Sequence, residues 1–372
     1  MSKAPPLTLF RYRWSHHGGE SGFDALATSI ADASPNTVTS ILVTGSQQRS
    51  IIQRVAERLW RPAPLSDSVS APLFACVVSP KNHEAAKKAV ALLKKDPKLV
   101  LVLLAGESQF SHVFAEAEPA VLSRIVIILH QPPSWMRLHG RDVSLLDRLR
   151  GVVCLSESHA TWLRSVTKAP VFVMKHGVRH DFFVPRSDGG ASDGKRLLFV
   201  GVWLRDVETL EKTMALIWER HPSTTLDCVT PFEFRTHPSH LRMSLDDRIR
   251  WHAGLSGEAL RSLYQQSDVM VMPLIDGTAN NAVNEALACG LPIVSTRIGG
   301  SVDYVPEGAG ELCPPGDAGA HAEATIAFME SRDRRERAGQ IGRRFAVDHL
   351  DWGAIAREFL GAVTDGPLSG SP

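Results

Sequence analysis

Apolar runs recur along this chain at residues 7–10, 38–43, 73–78, 100–104, 125–129, 152–155 and 171–174, with helical patterns between them. Near-continuous Val, Ile and Leu runs mark strands buried on both faces, a condition met in parallel sheets whose crossover helices cover each side. The intervening segments 22–33, 48–59, 83–94 and 158–164 have the spacing and length of such crossovers. A doubly wound α/β domain is therefore predicted for the first half.

At residues 182–195 the composition shifts to Pro, Ser, Asp and Gly without apolar periodicity, and the domain boundary is predicted there. The rhythm then restarts with strands at 196–200, 225–229, 249–251, 269–272 and 292–295 and helices at 207–220, 258–266 and 280–288. Helices at 318–330 and 332–348 close this second domain. The expected division is a first domain at 1–181, a linker at 182–195, a second domain at 196–348, and a C-terminal helix with a fraying tail at 349–372, the helix able to pack back on the first domain. Two sheets of this kind bind ligands at the carboxyl ends of their strands, so the site is expected in a cleft between the domains.

The chain has 372 residues, 44% of them hydrophobic and 22% charged, as in soluble two-domain proteins. Its 41 Lys and Arg nearly balance 40 Asp and Glu, which argues against a general nucleic-acid binder relying on counterion release. The five cysteines, Cys76, Cys154, Cys228, Cys289 and Cys313, are odd in number, far apart and mostly in apolar runs; core thiols in a reducing compartment are expected. The apolar run at 7–10 is broken by Arg11 and Arg13, too short for a signal-peptide core, and no run approaches the length of a membrane span. A cytoplasmic protein is expected, with at most peripheral contact at the inner membrane face.

The most informative local unit runs from strand 269–272 through Pro273-Leu274-Ile275-Asp276-Gly277-Thr278-Ala279-Asn280 into a helix, a Gly290-Leu291-Pro292 turn and a further strand. A loop of small and amide side chains leading into a helix presents free N–H groups to an anion, and a nucleotide diphosphate fits there. Glu285, about one turn into that helix, is positioned to accept ribose hydroxyls as a bidentate carboxylate.

From Asn281 through Asn284-Glu285-Ala286-Leu287-Ala288-Cys289-Gly290-Leu291-Pro292 to Gly299-Gly300, the sequence resembles the donor-binding segment of retaining glycosyltransferases of the GT-B fold, in the large family four group. Leu197-Leu198-Phe199-Val200-Gly201, Lys175-His176-Gly177-Val178 and Cys154-Leu155-Ser156-Glu157-Ser158 support it in order along the chain. The resemblance implies two Rossmann-like domains, the first for the acceptor and the second for a nucleotide-sugar donor.

In that family two Glu residues separated by seven others contact the donor sugar and ribose. Glu285 matches the second, but Gly277 stands at the first; Asp276 is the candidate replacement, with Thr278, Ala279, Asn280 and Asn281 supplying amides to the diphosphate. The family's Arg and Lys pair after the glycine of the first second-domain strand is reduced here to Arg205, four residues past Gly201. A single guanidinium can still grip two phosphate oxygens. In the first domain, Gly18 and Gly19 match the family's glycine loop near phosphate and acceptor. His130, just past the strand at 125–129, matches its histidine beside the reacting sugar and is expected to point into the cleft.

The implied reaction retains anomeric configuration and needs no metal or other cofactor, because N–H groups and a cation can stabilise the leaving diphosphate. The acceptor is a hydroxyl on a glycan, a lipid-linked glycan or a small molecule. A nucleotide-sugar epimerase of the same fold and a catalytically silent homologue stay open, the latter because of the departures at Gly277 and Val202. Lys175 and His176 read as a structural turn, Trp135 and Trp203 as packed interior residues in preference to stacking platforms, and Arg332 to Arg337 as a solvated helix face.

Overall fold

The computed structural model describes residues 5–13, 22–35, 37–44, 80–107, 113–114, 116–139, 143–187 and 193–364. The strand expected at 73–78, the helix expected at 48–59 and Cys76 lie outside the described residues. The chain forms two compact units, Met1–Lys175 with Trp352–Pro372, and His176–Asp351.

The first unit holds strands β1 (Leu7–Arg13), β2 (Val38–Thr44), β3 (Val100–Leu103), β4 (Ile125–Ile128), β5 (Gly151–Cys154) and β6 (Val171–Val173). All pair in parallel, in the order β2-β1-β3-β4-β5-β6. Every residue of β3, β4 and β5 is buried, as continuous aliphatic runs require of central parallel strands. The helix Trp352–Thr364 belongs to this unit: it packs on the helix Gly22–Ala33, and Arg150 donates from Nε and Nη2 to the Val363 carbonyl at 3.2 and 3.0 Å.

The second unit holds β7 (Arg196–Val200), β8 (Thr225–Val229), β9 (Ile249–His252), β10 (Val269–Met272), β11 (Ile293–Thr296) and β12 (Gly310–Cys313), again all parallel, in the order β12-β11-β10-β7-β8-β9. The expected doubly wound α/β architecture is thus present twice. β12 has no counterpart in the sequence reading, because it is a four-residue edge strand, GELC, with only Cys313 buried.

The passage between units falls at Lys175/His176 and Asp351/Trp352, not at 182–195. Phe183 is buried in the second core and meets Tyr264 edge-on, ring centroids 6.0 Å apart, and Arg343 Nη1 donates to the carbonyls of His180 and Phe183. Burying such an aromatic contributes roughly 1.5–3 kcal/mol, so this stretch is held as part of the second unit despite its polar continuation. Arg335 also departs from expectation. It is buried, and Nη1 donates to the carbonyls of Phe328 and Met329 at 2.8 and 2.7 Å, so the face of the helix Arg332–His349 that carries it is internal. Cys154, Cys228, Cys289 and Cys313 are buried thiols.

Candidate functional site

In the second sheet the strand order reverses between β7 and β10, which pair directly. Helical crossovers leave the sheet in opposite directions there, opening a crevice at the strand ends, where ligands bind in open α/β sheets. Gly201 follows β7 and the loop 273–280 follows β10. The two loops are stitched together by Asp206 N–H to the Pro273 carbonyl (3.0 Å) and Ile275 N–H to the Leu204 carbonyl (3.0 Å). Leu204 has φ +56°, the one positive value for a non-glycine among the described residues.

Gly201 has φ +99°, and a Cβ there would stand 2.5 Å from Arg205 Nη2. Only glycine lets the guanidinium lie against the backbone at this turn. Arg205 donates from Nε to the Val200 carbonyl (2.9 Å), from Nη1 to the Trp203 carbonyl (2.8 Å) and from Nη2 to Asn280 Oδ1 (3.2 Å). A guanidinium carries five N–H donors; three are used, leaving one on each Nη without a partner among the described residues. Burial lowers its pKa to about 10, so it stays cationic at neutral pH. Trp203 beside it is 55% exposed rather than packed inside.

Asn280 is the N-cap of the helix Asn281–Ala288: its Oδ1 also accepts the Ala282 N–H at 3.1 Å. One side-chain oxygen therefore joins the cation to the helix start. Thr278, Ala279 and Asn280 line a small pocket with Gly300, Ser301 and Tyr304, while Asn281 is half-buried at the first helical position. Asp276 Oδ1 accepts the Gly277 N–H at 2.7 Å, and the Gly277 carbonyl accepts the Gly300 N–H at 2.8 Å. A Cβ built on Gly277 meets nothing within 4 Å.

Glu285 is 5% exposed and accepts the Tyr264 hydroxyl on Oε2 at 2.9 Å, so one carboxylate oxygen already has a protein partner. Burial raises its pKa to about 7, partly offset by that hydrogen bond. One residue earlier, Asn284 is fully buried. Its Nδ2 donates to the His176 carbonyl at 2.8 Å, and the His176 N–H donates to Tyr304 Oη at 2.7 Å. His176 is thus a clamp between the donor-type helix and the pocket wall, more than the simple turn expected. Arg343 Nη1 donates to the Ala288 carbonyl at 2.9 Å at the helix's other end.

In the first unit, His130 follows β4, and its Nε2 bonds the Leu104 carbonyl at 2.8 Å, just past β3. The backbone N–H groups of His130 and Gln131 both donate to Glu107 Oε1, the latter at 2.7 Å. Glu107 is buried, which pushes its pKa up to about 7 against the lowering effect of those hydrogen bonds. At Gly106 a Cβ would overlap Ile127 and the Ile128 carbonyl, so only glycine allows the chain to present Glu107 here. Sequence reasoning missed Glu107; the one available signal was a Gly-Glu pair directly after a strand. Gly18 and Gly19 lie outside the described residues.

The arrangement therefore brings Gly201, Arg205 and Asn280 into contact and joins them to Thr278 and Ala279. Glu285 lies along the same helix on Tyr264, Asp276 closes on its own loop, and His130 stands in the other unit. Among the described residues no group of three or more His, Cys, Asp or Glu side chains converges as for a metal ion, and no helix is long and apolar enough to cross a membrane.

Two doubly wound α/β units, each built on a six-stranded parallel sheet, make up the GT-B fold. Residues 194–331 match the family Glycosyl transferases group 1. The D-inositol 3-phosphate glycosyltransferase 2 of Catenulispora acidiphila is 27% identical over 251 residues, 60% of this chain and 58% of that one. The chain spans less than two thirds of the length of the curated relatives it matches. Among solved structures, sucrose-phosphate synthase from Thermosynechococcus elongatus superposes with a TM-score of 0.70 at 19% identity, covering 95% of this chain and 97% of that one. Anabaena Alr3699/HepE in complex with UDP-glucose does so with a TM-score of 0.64 at 16% identity, covering 95% and 97%. The family match lies within the second unit, and the structural likeness, which extends over 95% of the chain, shows the GT-B fold.

Proposed function

We propose that this chain is a family four glycosyltransferase that moves a sugar from a nucleotide-diphosphate donor to a hydroxyl acceptor, with retention and without a metal. The observation that carries the reading is Arg205, with two N–H donors unspent among the described residues, lying on Gly201 and bonded to the N-cap of the helix that bears Glu285. In this reading the diphosphate takes the free helix N–H groups and the remaining guanidinium donors. Glu285 accepts ribose hydroxyls, Asp276 contacts the sugar, and the first unit holds the acceptor beside His130.

As the bond from anomeric carbon to phosphate oxygen breaks, negative charge grows on the diphosphate, where fixed donors act most strongly; losing one such donor typically lowers kcat by roughly 10²–10³. The acceptor oxygen bonds to the same face of the anomeric carbon, and its proton passes to the departing phosphate oxygen. His130, fixed by the Leu104 carbonyl, orients the sugar. UDP-glucose in the Anabaena protein and the naming of the Catenulispora relative for an inositol phosphate support this donor class and a polyol acceptor.

The test is calorimetric and thermal-shift binding against UDP-, GDP-, ADP- and TDP-sugars without added metal, repeated with Glu285→Ala. Stabilisation by one donor, lost in the variant, is the expected result. No binding by folded wild-type protein overturns the reading; binding without turnover on any hydroxyl acceptor favours a silent homologue.

A further inference from the structure

Glu285 sits on a helix in which every residue from Ala282 to Ala288 is buried, an environment that disfavours a charged carboxylate. Its side chain's only hydrogen bond among the described residues comes from Tyr264, on the helix Gly257–Gln266, whose hydroxyl donates to Oε2 at 2.9 Å. Tyr264 is itself buried, with its ring edge-on to Phe183. We infer that Tyr264 is a positioning residue for the donor site: its hydroxyl occupies Oε2 of Glu285, favours the carboxylate over the acid and leaves Oε1 as the acceptor for ribose. This rests on the donor reading of Glu285 given above.

The chemistry follows from the pair. A ribose diol presents two hydroxyl donors and needs an acceptor-only group, which a carboxylate is and a carboxylic acid is not. A phenol donating to a carboxylate forms a charge-assisted hydrogen bond that favours ionisation, opposing burial. The other charged and titratable groups around the pair are Cys289, one turn on, whose thiol is held neutral by burial; Arg205, which acts on Tyr264; and Arg261 and Arg343, which act on Cys289. Among the described residues no cation bonds Glu285 directly, so Tyr264 is its chief support against protonation.

Tyr264→Phe removes one oxygen and keeps the ring that packs on Phe183. The measurement is UDP- and GDP-sugar affinity from about pH 6 to about pH 9, where each unit of pKa shift is about tenfold. It is paired with the carboxyl titration of Glu285 followed by carbon NMR on Glu-labelled protein and assigned with Glu285→Gln. Wild-type donor affinity is expected to fall as pH drops through about 7. In Tyr264→Phe the titration midpoint and the affinity profile should both move to higher pH, with about tenfold weaker binding near neutrality and recovery at alkaline pH. Glu285→Gln should bind weakly and without pH dependence. A Tyr264→Phe profile that superposes on wild type, or a loss of affinity that alkaline pH does not rescue, overturns the inference. If wild-type protein binds no nucleotide sugar, the donor reading fails and takes the ribose role with it, while the titration alone decides whether Tyr264 controls the charge of Glu285.

Discussion

The Glu107 carboxylate accepts the backbone N–H of Gln131 at 2.7 Å, and with it that of His130, so a buried acid after β3 fixes the backbone that carries the histidine after β4. Burial lifts the Glu107 pKa from 4.5 to about 7 in the folded chain. A carboxyl with a raised folded pKa contributes fully below its unfolded pKa, and that contribution is lost as pH rises through the folded value. The shift corresponds to roughly 3 kcal/mol at most. Glu107→Gln, whose amide oxygen can accept the same N–H groups, should gain stability relative to wild type between about pH 5 and about pH 8, by up to about 3 kcal/mol. Urea unfolding at the two pH values measures it; an equal difference at both would show that Glu107 does not titrate there.

Gly201→Ala should cost about 2 kcal/mol, since its φ of +99° is forbidden to a side chain and Arg205 is pinned by three hydrogen bonds. Displacing the guanidinium should also weaken UDP or GDP at least about tenfold, the worth of one charged hydrogen bond. Calorimetry with the free nucleotides reads this directly. Full nucleotide affinity in a folded variant would take Arg205 out of the diphosphate site.

Glu285→Ala and His130→Ala should separate binding from turnover. The first removes the ribose acceptor and should weaken donor binding by about tenfold or more with the fold intact. The second should lower kcat about 10²-fold while donor Kd changes little, because the His130 ring is held in the first unit by the Leu104 carbonyl. Steady-state kinetics beside calorimetry decides; wild-type turnover in His130→Ala would remove it from the mechanism.

Gly277→Glu tests the departure in the donor loop. A Cβ there meets nothing within 4 Å, so stability should stay within about 0.5 kcal/mol of wild type. If the sugar lies beside this loop, the added carboxylate should tighten nucleotide-sugar binding by about tenfold while leaving free nucleotide unaffected. An equal effect on both ligands, or none, would place the sugar elsewhere.

Most strands of both sheets were legible as Val, Ile and Leu runs, because a strand buried on two faces is predominantly aliphatic. The helix after β10 was expected at 280–288; Asn280 stands just outside it as the N-cap, its Oδ1 3.1 Å from the Ala282 N–H, a role the sequence reading did not assign. β12 was not legible, since an edge strand with one buried residue carries no apolar pattern. The unit boundary was misread because a polar stretch marks solvent, while the burial of Phe183 against Tyr264 decides membership of a core.

The candidate site divides along the same line. Sequence alone determined which residues stand at strand ends or in and beside the helix after β10, among them Gly201, Asn280, Glu285 and His130, because those positions follow from local periodicity. Tertiary structure alone decided the partners. Tyr264 and Glu285 are 21 residues apart, Glu107 and His130 are 23, Arg205 and Asn280 are 75, and Asn284 reaches back 108 to His176. A buried polar group must find a hydrogen bond, but its own neighbours in sequence do not say which distant group supplies it; that is settled only when each sheet sets its own strand ends side by side.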